Sequence, residues 1–181
     1  FFPEKRDFFL QDAGIFEFGN IDTNGRPFFS RRIGLNDDGE PVGIDGGIKL
    51  TCRIGDFNVG ALAIRQEASG DVSDRVLFVA RGSYNVLDES SVGFNLTHGD
   101  PTSNESNSVA GVDFLYRNSE GPFGEILTGR FWAQQSRSSD LDGDEQAFGV
   151  NVEIPSDKLQ AYVDVQQIGD DFRPALGFVN R

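Results

Sequence analysis

Alternation of apolar and polar residues with a period of two recurs along most of this chain. It is clearest in GGIKLTCRIGDFNVGALAIRQE, residues 46–67, where two alternating arms flank a tight break at residues 55–57. This pattern predicts antiparallel β-strands joined by a turn. The arms are about nine or ten residues long, which is the length that a tilted strand needs to cross a bilayer. The chain is therefore predicted to be all-β.

Further arms follow this hairpin, and the connections between them alternate in length. The predicted arms are residues 75–82, 91–97, 109–117, 123–135, 147–154 and 159–166, with weaker candidates at 27–35 and 174–180. The links at residues 118–121 and 155–158 are tight, the link at 83–90 is longer, and the polar loops at 68–74, 99–108 and 136–144 are long. Short turns on one side and long loops on the other are typical of outer-membrane barrels. The predicted fold is an antiparallel transmembrane β-barrel (meander), or a fragment of a larger barrel.

The composition permits this fold and excludes some classes of partner. The 181 residues include 22 Gly and 17 Phe, and no apolar run has the length of a membrane helix. The formal net charge of -13 argues against nucleic acid as a partner, since phosphate binding needs clustered Lys and Arg. One Cys and one His leave no disulfide framework and no Cys/His zinc cluster, so no cofactor is expected. Because the chain has no Met and opens on Phe-Phe-Pro, we expect a piece of a longer or processed polypeptide.

The N-terminal region lacks this alternation. FFPEKRDFFL, residues 1–10, brackets four consecutive charged residues with two Phe pairs. Phe residues this close together are seldom left exposed, which favours a segment packed in or against the barrel over a solvated loop anchored by Phe. We therefore predict two regions, an N-terminal segment of residues 1–26 and barrel strands in residues 27–181.

Charged residues recur on the side of the arms that is predicted to face the barrel interior. These lumen-facing candidates are Lys49, Arg53, Arg65, Arg75, Arg81, Asp113, Arg117, Arg130, Glu153 and Asp164. They either line a polar pathway or form a paired network that braces the wall or holds the N-terminal segment. Because an unpaired charge in a dry lumen is costly, paired and hydrated groups are the preferred interpretation.

Nothing in the chain predicts an enzyme. Asp140, Asp142 and Asp144 lie in an acidic loop, DLDGDE, that is a weak candidate for calcium, but it lacks the full spacing of a calcium-binding helix-loop-helix and a solvated turn is preferred. His98 has no Ser, Cys or second His visibly arranged with it and is predicted to be a loop residue. Cys52 falls on the apolar face as a small buried or lipid-facing residue.

Several motifs stand together along the chain: FFPEKRDFFL, PFFSRRIGL, GGIKLTCRIGDFNVG, the run at residues 87–93 and the final GFVNR. Together they resemble a bacterial outer-membrane β-barrel region of unassigned function that is found behind a carbohydrate-binding family 9-like domain. The resemblance covers most of the chain and implies a Gram-negative outer-membrane barrel, with a soluble domain upstream and further strands downstream. It implies no catalytic residues, and it leads us to expect Gly where this chain has Cys52.

The expected function is an outer-membrane β-barrel with a structural or transport role, which the resemblance links to glycan handling. Expected partners are the lipid bilayer and lipopolysaccharide, with an oligosaccharide as a candidate ligand. The alternative is a soluble all-β carbohydrate-binding module whose apolar face packs on a second sheet. In the barrel, Phe94, Phe114, Phe148 and Val163 meet hydrocarbon, whereas in the soluble module they lie beneath an opposing sheet.

Overall fold

The computed structural model describes residues 4–21, 24–121, 124–156 and 160–180. Its strands are β1 (Ile44–Ile54), β2 (Phe57–Gln66), β3 (Arg75–Val86), β4 (Ser90–His98), β5 (Asn107–Asn118), β6 (Leu127–Ser138), β7 (Gln146–Pro155) and β8 (Gln160–Ile168). They form one eight-stranded sheet in chain order, and every neighbouring pair is antiparallel. The prediction of an all-β antiparallel meander is confirmed. Within the described residues, β1 and β8 are the two edges of the sheet and do not pair with each other.

The turns follow the predicted order with two corrections of length. Ile54 faces Phe57 across a two-residue turn in which Gly55 has a φ of 57°, a left-handed conformation that favours glycine. The link between β3 and β4 is only residues 87–89, shorter than predicted, because both strands extend into it. The link between β5 and β6 is longer than predicted, at residues 119–126. Some predicted positions lie outside the described residues: 123 and 159, which begin two arms, 157–158, which end one turn, and 1–3 and 22–23 of the N-terminal segment.

Two weaker strand predictions are wrong. Residues 27–35 contain a short 3-10 helix, Ser30–Arg32. Their backbone groups bond to other parts of the chain and not to a neighbouring strand. The carbonyl of Ser30 accepts a hydrogen bond from Arg6, and the amide of Phe29 donates to the carbonyl of Leu176. Residues 174–180 contain only an isolated bridge between Phe178 and Arg26. The first strand begins at Ile44, so strands do not start at residue 27 as predicted.

The chain before β1 lies across one face of the sheet. We call residues 4–21 and 24–43 the strap, the face that it covers the inner face, and the opposite one the outer face. The strap contains α1 (Asp7–Leu10) and the 3-10 helices Ala13–Phe16 and Ser30–Arg32. Its bonds run from Lys49 on β1, which donates to the carbonyl of Gln11, to Gln166 on β8, which donates to the carbonyl of Asn24. The strap therefore crosses the full width of the sheet.

The hydrophobic core lies between the inner face, the strap and the tail, which we define as residues 169–180. One cluster is formed by Phe9, Ile15, Phe16, Ile33, Leu62, Ile64, Leu77, Val79 and Leu176. A second cluster is formed by Val109, Ala147 and Phe172, with Trp132, Ile168 and Val179 packed against it. Burying each large aliphatic or Phe side chain contributes about 1.5–3 kcal/mol, so the strap and the tail are integral to the fold. No helix among the described residues is long and apolar enough to cross a membrane.

Candidate functional site

One row of the outer face crosses all eight strands with only aliphatic and aromatic side chains. The strand register joins, in order, Ile54, Phe57, Tyr84, Val92, Phe114, Phe131, Val150 and Val165. Cross-strand ring pairs occur within it, with ring centroids 4.5 Å apart for Phe57 and Tyr84 and 6.1 Å apart for Phe114 and Phe131. The outer face therefore presents a continuous apolar surface across the whole sheet.

This row belongs to a taller apolar band. The next row toward the long loops joins Cys52, Val59, Gly82, Phe94, Val112, Ala133 and Phe148. Along β3 the outward residues stay apolar from Val76 to Tyr84, roughly 26 Å at about 3.3 Å per residue. At a strand tilt of about 40° this length corresponds to a height of roughly 20 Å, somewhat less than the apolar band of about 25 Å on outer-membrane barrels.

The polar margin of the band is displaced from strand to strand. Moving toward the long loops, the apolar residues give way at His98 on β4, at Gln135 on β6 and at Gln167 on β8. Gln135 lies in the row of Leu96, and Gln167 lies in the row of Phe94, so the margin shifts toward the short turns as the sheet is crossed. A flat hydrocarbon slab that crosses tilted strands produces a shift of this kind.

Four outer-face residues distinguish a lipid-facing surface from one covered by a second sheet, and all four are at least partly exposed. Phe94, Phe148 and Val163 are 49%, 43% and 61% exposed, and Phe114 is half-buried among its neighbours on the sheet. The described residues contain one sheet only, so they include no opposing sheet over this face. Cys52, a free thiol, also lies on the outer face and is partly exposed.

Most of the predicted lumen-facing residues share the inner face. By strand alternation and register they are Lys49, Arg53, Arg75, Arg81, Asp113, Arg117, Arg130, Glu153 and Asp164. Arg65 is a correction, because Leu62 and Ile64 are buried inward against the strap and Arg65 therefore alternates to the outer face. There its guanidinium forms ion pairs with Asp45 at 3.3 Å and Asp74 at 2.8 Å.

A buried ion pair fixes the middle of the strap. Arg81 and Asp113, with side chains 4% and 1% exposed, approach to 2.7 Å. Arg81 Nε also donates to the carbonyl of Glu17 at 2.8 Å, and Asp113 accepts the amide of Gly19 at 3.1 Å. Gly93 makes room for this pair, since a Cβ there would lie 2.2 Å from the Arg81 guanidinium. Both charges are thus compensated and joined to the strap backbone.

The remaining inner-face charges also have partners. Arg53 pairs with Asp12 of the strap at 3.2 Å, and Arg117 lies 3.8 Å from Glu89. Arg130 donates to Asn151 at 3.1 Å, and Asn151 donates to Asp164 at 2.9 Å. Arg75 holds the loop after β4 through the carbonyls of Asp100 and Ser103, and Glu153 accepts from Thr128 at 3.2 Å.

Two polar clefts open beside the strap on the inner face. One, of about 120 Å³, is lined by Asn20, Arg130, Trp132, Asn151 and Asp164 among others. The other, of about 300 Å³, adjoins it at Asn20 and Arg130 and reaches Arg117 and Glu153. Sequence reasoning missed Trp132, which lies against Gly149, where a Cβ would come within 2.5 Å of the indole. The only local signal was a lone Trp at an inward position of a strand.

The acidic loop does not assemble a metal site. Asp140 accepts two hydrogen bonds from Arg173, at 2.9 and 2.7 Å, and these hold the pKa of its carboxyl below its ordinary value. Across the described ranges, no three His, Cys, Asp or Glu side chains come together in a way that would hold a metal ion. The loop prediction for His98 is wrong, because it is the last residue of β4, and its Nδ1 lies 2.8 Å from the hydroxyl of Ser108.

Comparison of the chain with protein-family models, with curated proteins and with solved structures finds no match.

Proposed function

We propose that this chain forms part of a transmembrane β-barrel in the outer membrane of a Gram-negative bacterium, with a structural or transport role. The apolar band of the outer face carries the proposal. Its height suits a hydrocarbon layer, its margin is staggered as tilted strands require, and the opposite face holds the charges. The partners of the band are then the lipid bilayer and lipopolysaccharide.

The size of the band favours lipid over water. Eight strands at about 4.8 Å spacing are roughly 34 Å wide, and a height of about 20 Å gives a patch of roughly 700 Å². The largest exposed apolar patch of a soluble monomer is typically about 300–600 Å². A soluble carbohydrate-binding module remains the alternative, and it requires another protein layer over Phe94 and Phe148.

The contents of the inner face favour a barrel with more than eight strands. An eight-stranded barrel has an interior just wide enough to be filled by side chains. Here the inner face carries a whole strap and tail with two hydrophobic clusters, and the edges β1 and β8 are unpaired within the described residues. Further strands between these edges would enclose that volume and satisfy the edge backbone groups.

The two polar clefts give the barrel a place for a hydrophilic ligand. Carboxylate, amide, guanidinium and indole groups meet around Asn20, where Trp132, Asn151 and Asp164 line the smaller cleft. Such a set suits a hydroxyl-rich molecule. An oligosaccharide is accordingly the candidate ligand, in line with the glycan link that the sequence resemblance implies.

The single native cysteine provides the test. The full-length protein, with any cysteine outside this chain replaced, is labelled at Cys52 with a fluorophore and reconstituted into vesicles that contain mid-chain nitroxide lipids. We expect strong quenching at Cys52 and weak quenching at Thr51→Cys in a Cys52→Ser background, since Thr51 lies on the inner face. Equal quenching at both positions, or a monodisperse protein in plain buffer without detergent, would refute the membrane proposal.

A further inference from the structure

Arg137 differs from the other arginines by having no bonded partner among the described residues. Those with an interacting partner are Arg6, Arg26, Arg31, Arg32, Arg53, Arg65, Arg75, Arg81, Arg117, Arg130 and Arg173. Acidic residues are plentiful, since the formal net charge is -13. A shortage of carboxylates therefore does not explain the unpaired guanidinium.

Three acids in the loops at the same end of the sheet are already engaged. Asp140 is bonded to Arg173, Glu145 accepts the amide of Ser138, and Glu105 accepts the hydroxyl of Ser139. Arg137 itself is exposed near the end of β6. The guanidinium is therefore available to an external anion.

Arg137 lies at the polar margin of the outer band. It is in register with Ser108 on β5, and Ser108 is in register with His98 on β4. The next outer-face row toward the short turns contains Leu96 and Ala110, which belong to the apolar band. The imidazole Nδ1 of His98 lies 2.8 Å from the Ser108 hydroxyl, which orients the ring and leaves its other nitrogen for a ligand.

We propose that Arg137 and His98, with Ser108 orienting the imidazole, bind the phosphate of a membrane-lipid headgroup. The inference rests on the proposed membrane function, and it adds the class of lipid that this margin of the band selects, which is a lipid with a phosphate in its headgroup. A guanidinium offers two parallel N–H donors to phosphate oxygens. When the Ser108 hydroxyl donates to Nδ1 of His98, the imidazole carries its proton on Nε2, and this N–H is a second donor to the phosphate.

The adjoining apolar rows identify the source of the phosphate as lipid. The three side chains lie on an open sheet face, so a free phosphate ion would meet them without enclosure. A phospholipid or phosphorylated glycolipid adds acyl chains, which lie along Leu96, Ala110 and the band beyond them. Only the lipid contacts both the polar row and the apolar band.

The test compares matched arginine variants of the full-length protein in nanodiscs of mixed phosphatidylglycerol and phosphatidylcholine. The lipids that remain bound after extraction are counted by native mass spectrometry. We expect R137Q to lower the preference for phosphatidylglycerol about fivefold, the effect of one arginine at an anionic lipid surface. S108A and H98Q should lower it less. R53Q, which removes an equal charge from the inner face near the short turns, should leave it unchanged.

Cys52 quenching on each variant separates the two proposals. A protein that is not quenched at Cys52 is not in the bilayer, and both proposals then fail. A protein that inserts normally but keeps its lipid preference in R137Q, or loses it equally in R53Q, refutes the headgroup site alone. Displacement of the lipid by millimolar inorganic phosphate would also refute it, because the site would then be a site for the free ion.

Discussion

The outer face of the sheet keeps its charged residues at the margins, whereas the inner face carries them at its centre. On the outer face, Arg65 and Arg137 lie near the long loops, and the rows between the margins are aliphatic or aromatic. On the inner face, Arg81 and Asp113 are buried beneath the strap. The comparison shows that a charge is tolerated at the centre only where another part of the chain supplies partners for it.

Removing one partner of the central pair is expected to have the largest effect. Asp113→Ala leaves the Arg81 guanidinium buried without its counter-charge and frees the amide of Gly19. The free energy of unfolding should fall by about 3–5 kcal/mol. Denaturant unfolding in detergent measures it. The double variant Arg81→Met/Asp113→Leu should lose less than Asp113→Ala alone, and a larger loss would show that the pair contributes more than charge compensation.

A charge placed at the centre of the outer band should be the next most costly change. Val112→Arg puts a guanidinium amid the apolar rows and should cost about 2–4 kcal/mol in a bilayer. Gln135→Arg, at the margin, should cost about 0–1 kcal/mol. Folding titrations into vesicles compare the two. Equal costs would mean that the band does not lie in hydrocarbon.

Substituting Val for Ile, which deletes one methylene, should have a small cost in stability beneath the strap and none on the outer face. Ile33→Val creates a cavity in the buried cluster beneath the strap and should cost about 0.5–1.5 kcal/mol. Ile48→Val, on the outer face, leaves no cavity because lipid or solvent fills the space, and its effect should be within error. Unfolding midpoints measure both. A larger loss at Ile48 would place that side chain in a packed protein interior.

The smallest expected effect is on the start of the strap at low pH. The hydrogen bond from Arg6 lowers the pKa of Glu4 from 4.5 to about 2, and Glu4 also accepts from Ser30 at 2.8 Å. Because the folded pKa is depressed, this contact stabilises the strap fully above pH 4.5 and is lost as the pH falls toward about 2. The hydrogen-exchange protection factors of residues 4–12, which are corrected for the intrinsic exchange rate at each pH, should fall in that window. Glu4→Gln should remove the pH dependence.

The strands were predictable from the sequence because alternation is a local property. The turn at Gly55 and most of the strand centres lie where the pattern places them. The sequence did not predict which side of β2 faces the core. Leu62 and Ile64 lie on the inner face because the strap packs Phe9 and Phe16 against them. The contact between Trp132 and Gly149 was not predicted from the sequence for the same reason. Their roles depend on contacts between residues far apart in the chain.

The strap is attached largely through its peptide groups. Arg81, Arg130, Gln134 and Gln166 reach from the wall to the carbonyls of Glu17, Asn20, Gly25 and Asn24. A substitution leaves such bonds to the backbone intact, but three positions in this part of the strap are exceptions: Phe18, which fits the hollow at Gly111, and Gly19 and Gly25, where positive φ values and the nearby Trp132 disfavour a side chain. At the other positions whose carbonyls are bound, the side chain can diverge in sequence, whereas the long polar side chains of the wall must persist.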